Sequence, residues 1–567
     1  MGIHGNKRSF ARAAKALFLV LALLLPSCQG ISPQPSGAET APETELAVGT
    51  ESAAQPHPVV ETAPEQASNV RFVPPSAFPE PTARAANAEE ETVILALNGI
   101  PLPEAEGTAY LPVRSAGYDP RSLLGLSAGH YDESGSYLED ADAVILADEA
   151  AAAGIGDFLS DNIALDIRIL SGESVSGKRL VFTTLPVLEL KRTGRKFSFT
   201  PAPADFSLWE AAENGVKRTD SAAMVKTRGA TSATLPKHGY RIELRGADDQ
   251  PRRLPLLGMR RDDDWVLCAS YSDNTHVRDA LSWKIWSEMA ADAGLTPSGA
   301  VETRFTEAII AGEYAGFYLL MERVDAKQLS LGSDDALFKT IDWSLASSDA
   351  LRSASPSDRV TNSLEKKHPD EPGDGWNGWD VMAEFIRLSY ESDGETFAAG
   401  IEKIAEPENM IEYWLFLNLI MGADNAYKNA YFAVIDGRVE VFPWDLDITF
   451  GLAWNGDRNN NYLYENLGNA KNSFDFKAGH RLVKYCPAWR AYALKRYDAL
   501  KEAGIADAEH IISLAEGIWN ELHDSGAWAR NLERWPDTNT TNSLAYLKRV
   551  VHIRMEWMDE MMESWRG

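Results

Sequence analysis

Asp424, Lys428, Asn429, Asp445 and Asp447 crowd into one stretch of the chain, and together they are the side-chain types that phosphate chemistry uses. Carboxylate and amide oxygens suit a hard divalent cation. A further carboxylate left free can orient a hydroxyl nucleophile and take its proton. Singly, each aspartate is more often a turn former or a helix cap than a ligand; it is five such groups in one order that point to chemistry.

The elements that must position them follow from the pattern. Ile411 to Met421 is a largely apolar run of helical length, and Gly422 to Asn429 is a polar loop. Tyr431–Ile435 and Val439–Phe442 flank Asp436-Gly437, which predicts a tight hairpin. The acidic turn Pro443-Trp444-Asp445-Leu446-Asp447-Ile448-Thr449-Phe450-Gly451 follows at once. In an extended backbone Asp445 and Asp447 point the same way and face one cation. Protein kinases use this order of parts: a loop Asp for the hydroxyl proton, then a loop Asn and an Asp beyond the hairpin for Mg²⁺.

Upstream, residues 92–184 alternate short apolar runs with Gly, Ser and Asp turns, which predicts a small β-rich domain. Gly172 to Lys178 has the spacing of a phosphate-binding loop, but Arg179 stands where Ser or Thr is needed and Leu180–Thr184 reads as a strand, so a hairpin turn is the better reading. Residues 344–375 look like a long loop or insertion, and beyond Arg481 the chain reads as amphipathic helix. The fold class expected is α+β, with a helical C-terminal part.

The first 27 residues carry Lys7, Arg8, Arg12 and Lys15, then an apolar run from Ala16 to Leu25. At roughly 10 residues that run is too short to span a bilayer, so it predicts an export signal. Leu25-Pro26-Ser27-Cys28 resembles a bacterial lipobox, which makes Cys28 the expected site of lipidation and the chain an exported, membrane-anchored lipoprotein. Residues 28–91, rich in Ala, Pro, Glu and Thr without a helix or strand period, read as a disordered tether. The net charge is −28, and loss of the four signal cations takes the rest to −32, which argues against nucleic acid as a partner. Cys268 and Cys486 allow at most one disulfide and match no metal spacing.

The stretch from residue 184 to 567 resembles the CotH kinase family of atypical protein kinases. The marks are Thr184–Val187, Arg228–Ser232, Pro236–Ile242, Leu257–Met259, Asp264–Leu267, Asn274–Asp279, Gly316–Asp325, Glu365–Pro369 and the Asp424–Gly451 block. His238-Gly239 stands where the family more often has Lys-Ser, and His368 where it often has Tyr. The resemblance implies a kinase-like domain over 185–567 that transfers phosphate from ATP to Ser or Thr of a protein acceptor at the cell surface, with Mg²⁺ or Mn²⁺. It implies Asp424 as catalytic base, Asp447 as the principal metal ligand with Asn429 and Asp445 assisting, and Lys428 on the transferred phosphate. Arg228 resembles the phosphate-facing segment. Lys237 or Lys367 would reach the ATP phosphates, with Glu322 orienting one of them. Arg278 and Asp279 read as a structural ion pair, and Trp444 as core or adenine platform. The competing expectation is a displayed binding or adhesion protein that keeps the fold without catalysis. Neither the acceptor nor the oligomeric state is legible.

Overall fold

The computed structural model describes residues 70–73, 92–114, 125–131, 137–146, 164–171, 174–213, 215–342, 344, 346–453, 462–463, 471, 473–536 and 543–567. The expected export signal, Cys28 and nearly all of the expected tether lie outside the described residues. The exception corrects the tether reading: Val70–Val73 is a strand, paired in parallel with Asp142–Leu146. Four residues are too few to show a period against the surrounding Ala and Pro.

The N-terminal β region has two sheets among the described residues, one of six strands and one of four. Ala164–Ser171 and Ser174–Thr183 run antiparallel on either side of residues 172–173, as the hairpin reading of the Gly172–Lys178 stretch requires. This region does not close its core alone. Trp209 and Val216, from the next part of the chain, belong to the same apolar cluster as Leu97, Leu111 and Phe182. The Trp209 indole N–H donates to Pro101 O at 2.8 Å, and Tyr110 stacks on Tyr314 with ring centroids 5.2 Å apart.

A closed barrel follows, with strands in the order Val187–Arg192, Ala202–Ala212, Gly215–Arg228, Gly239–Arg245, Asp264–Cys268, Glu313–Met321 and Thr303–Ile310. The first and last pair in parallel, which closes the ring and leaves no edge exposed. Inward positions recur at every second residue, as in Tyr240, Ile242 and Leu244, and these fill the interior with Phe206, Val225 and Trp265.

The second half is a five-stranded sheet backed by helices, ordered Val360–Thr361, Leu364–His368, Ala336–Thr340, Ala430–Ile435 and Arg438–Pro443. Leu364–His368 corrects the reading of 344–375 as loop or insertion. Its sequence Leu-Glu-Lys-Lys-His looks like solvated loop, yet Leu364 and Lys366 are buried and the segment pairs with Ala336–Thr340. Behind the sheet lies helix Pro407–Ile420, which is buried on all sides except at Glu408. A helix apolar all round belongs in the centre of a fold. Proline at its start costs no hydrogen bond, and Met421 ends it in the left-handed region at φ 60°. Helices Lys477–Tyr485, Pro487–Glu502, Ala508–Asp524, Ala527–Arg534 and Leu544–Arg566 complete the expected helical C-terminal part. The α+β composition is as expected.

Candidate active site

The hairpin Ala430–Ile435/Arg438–Pro443 turns through Asp436 and Gly437, both at positive φ (50° and 76°), as a two-residue Asp-Gly connection demands. At its other end Ala430 pairs with Pro443, so the polar loop that enters the hairpin and the acidic turn that leaves it lie side by side. Asn425, which the sequence did not mark, fastens the two together. Its buried amide donates to Asn429 O at 3.0 Å and Trp444 O at 2.7 Å, while Trp444 N donates to Asn429 O at 3.1 Å. Tyr413 of the central helix donates to Asn425 O at 2.9 Å, so the loop rests on the core.

Asp424 and Asn429 meet directly: the Asn429 amide donates to Asp424 Oδ2 at 2.8 Å. Burial, with Asp445 adding to it, raises the Asp424 carboxyl to about 6 against the pull of Lys428. Asp447 is raised well above the ordinary carboxylate range, by burial first and then by Asp445, Asp279 and Asp424. Asp424, Asn429, Asp445 and Asp447 are therefore gathered, with Lys428 beside Asp424. The route differs from the expected one. Asp445 sits at φ 60°, so the two turn aspartates are not side by side on an extended strand but are separated by a left-handed kink.

Arg228, at the end of its barrel strand, faces the turn as expected, with a guanidinium nitrogen 3.5 Å from Asp445 Oδ1 and its charge over the Trp444 ring. The lysine expectation is corrected at Lys237. Lys237 is buried away from the turn, donating to Phe317 O at 2.5 Å and Asn531 Oδ1 at 2.9 Å. Lys367 is engaged by Glu365 at 2.6 Å. The strand cation facing Asp445 is Lys339, set across the ladder from both Glu365 and Tyr431, with its ammonium 5.7 Å from the Tyr431 and Trp444 ring centroids. Burial lowers it to about 8. A lone cation inside Ala336-Leu337-Phe338-Lys339-Thr340 was the signal in the sequence that could have found it.

Glu322 orients neither lysine. Its carboxylate accepts the Arg260 and Glu302 backbone N–H groups at 2.9 and 3.2 Å, on the wall of a cavity of about 640 Å³ that no residue of the acidic turn lines. Arg278 and Asp279 are not an ion pair either. Arg278 reaches Asp273 at 2.5 Å and Thr449 O at 2.9 Å, whereas Asp279 faces Asp445 and Asp447. Trp444 is core, edge-on to Trp283 and Tyr431. Cys268 and Cys486 are both free and buried.

Whether these residues suit a divalent cation is a question of charge. Among the described residues no three His, Cys, Asp or Glu side chains already converge to hold a metal. Yet Asp447 has no ion-pair partner among the described residues, is largely shut off from water and is surrounded by like charges. Oxygen donors in that condition fit a hard cation.

A carboxylate–amide pair and an acidic turn at one end of a hairpin of the helix-backed sheet, faced by Arg228 of the barrel and Lys339 of the sheet, bring together the side-chain types that phosphate chemistry uses. The family described as CotH kinase protein matches residues 225–558, more than half of the chain, and the chain belongs to that family. No curated protein matches it.

Proposed function

We propose that the protein transfers a phosphoryl group from ATP to a Ser or Thr hydroxyl of a protein acceptor. The observation that carries this reading is the Asp424–Asn429 contact beside Asp447, a carboxylate enclosed among others with no cation paired to it among the described residues. A module that only binds or adheres has no need of that arrangement, whose cost falls on stability.

In this reading Asp447, Asp445 and Asn429 hold Mg²⁺ or Mn²⁺, which when bound neutralises charge on the donor phosphates. Asp424 accepts the hydroxyl proton, and its value of about 6 is in the range that suits a general base near neutrality. Asn429 holds the Asp424 carboxylate in place through Oδ2, leaving its own Oδ1 for the cation. Lys428 meets the transferred phosphate, and Lys339 with Arg228 binds the donor phosphates from the opposite side. The kinase-like lobes are then the barrel and the helix-backed sheet. Export and a lipid on Cys28 would put this activity outside the membrane, where the acceptor is a surface protein.

The test is label transfer from ATP by the full chain to Ser/Thr-rich protein acceptors with Mg²⁺ or Mn²⁺. Asp447→Ala and Asp424→Ala are each expected to lower transfer by about 100-fold or more. A folded wild type that neither binds nucleotide nor transfers label with either metal refutes the proposal.

A further inference from the structure

Asp279 occupies the first turn of helix Arg278–Asp292 and is 2 % exposed. One carboxylate oxygen, Oδ2, lies 3.5 Å from the Cys268 sulfur, and the carboxylate accepts the Leu446 backbone N–H, from between the two turn aspartates. Its Oδ1 has no donor among the described residues. The cations that neighbour it are engaged elsewhere: Arg278 on Asp273, Thr449 O and Phe450 O, and Arg228 on Asp445. Asp279 in turn is among the groups that most strongly disfavour charge on Asp447. A fully buried carboxylate with an idle oxygen, held to the backbone between two more carboxylates, is destabilising unless a cation joins them.

We propose that Asp279 is a further ligand of the divalent cation held by Asp445 and Asp447, a third carboxylate delivered by a different element from the hairpin. The cation is of the hard, oxygen-seeking class, Mg²⁺ or Mn²⁺. Its uptake draws the first turn of the helix and the acidic turn together, and so ties the helix to the state of the site. This rests on the cation site of the proposed function and adds to it a residue outside the loop and turn.

The experiment is Mn²⁺ binding to the full chain, followed by the electron paramagnetic resonance signal of free Mn²⁺, with melting temperatures measured with and without the ion. Asp279→Asn keeps an oxygen for the Leu446 N–H and removes the charge. It is expected to raise the Mn²⁺ dissociation constant tenfold or more and to shrink the Mn²⁺-induced rise in melting temperature, while melting no lower than wild type when Mn²⁺ is left out. A purely structural role would not separate these readouts. Should circular dichroism show Asp279→Asn unfolded, Asp279→Ser serves the same comparison. A dissociation constant within threefold of wild type overturns the assignment, and if Asp447→Ala meanwhile abolishes binding, the proposed function stands without it. A wild type that takes up no Mn²⁺ overturns both.

Discussion

Lys339→Met should make the protein more stable and at the same time a poorer binder of nucleotide. Burial takes the Lys339 ammonium from its ordinary 10.5 down to about 8. At about 1.4 kcal/mol per pH unit, that corresponds to roughly 3 kcal/mol against the charged form in the folded state. The side chain keeps partial contact with solvent, and its charge gains from the Tyr431 and Trp444 faces, so about 1–2 kcal/mol of net cost remains. Methionine matches the length, carries no charge and keeps a favourable sulfur contact with the same rings. The sign with pH is determined. Below about 8 both folded and unfolded lysine are charged and the cost is complete; between about 8 and 10.5 only the unfolded chain holds the proton, so wild-type stability climbs toward that of the variant. Urea denaturation of both proteins at pH 7, 8, 9 and 10 should show a gain of about 1–2 kcal/mol that fades over that interval. Calorimetric titration with ADP should show affinity lowered tenfold or more, the loss of one charge-assisted phosphate contact. A variant less stable than wild type at pH 7, or one that binds ADP within twofold of wild type, refutes the reasoning.

Two further outcomes test the packing around the site. His276 is buried against Phe317 and Trp528, and burial drives its pKa down to about 3. Its folded value lies below the unfolded one, so stability is flat above about pH 6.5 and falls below it, by up to about 1.4 kcal/mol per pH unit for one proton. His276→Asn, which suits the local φ of 51°, should flatten that slope in urea melts at pH 7 and pH 5; an unchanged slope assigns the acid sensitivity elsewhere. Gly479→Ala offers a choice of sign. Helix propensity alone promises a gain of about 1 kcal/mol, but the new Cβ would stand 2.4 Å from Trp414 Cβ and 2.6 Å from Met410 O on the central helix. Overpacking should win, with a net loss of about 1–3 kcal/mol, and a variant that melts at or above wild type contradicts this packing.

The sequence by itself determined what depends on near neighbours. The Asp-Gly hairpin, the central apolar helix, the loop bearing Asp424 and Asn429 and the C-terminal helices were all legible, because turn chemistry and hydrophobic period act over a few residues. The family resemblance held over residues 225–558, since its marks are short strings with fixed spacing. The tertiary structure alone decided which cations face the acidic turn. Lys237 and Lys339 look alike as letters, but Lys237 finds Asn531, 294 positions along the chain, while Lys339 is brought opposite Asp445 by two strand pairings. Asp279 looked paired with its own neighbour until the helix start set Arg278 toward Asp273 and Thr449 and left the carboxylate facing the turn. Even the backbone between Asp445 and Asp447 takes a left-handed kink that no two-residue spacing reveals. Burial and charge pairing are sums over groups distant in the chain, so a residue's electrostatic role exists only after the barrel, the sheet and the helices have closed around it.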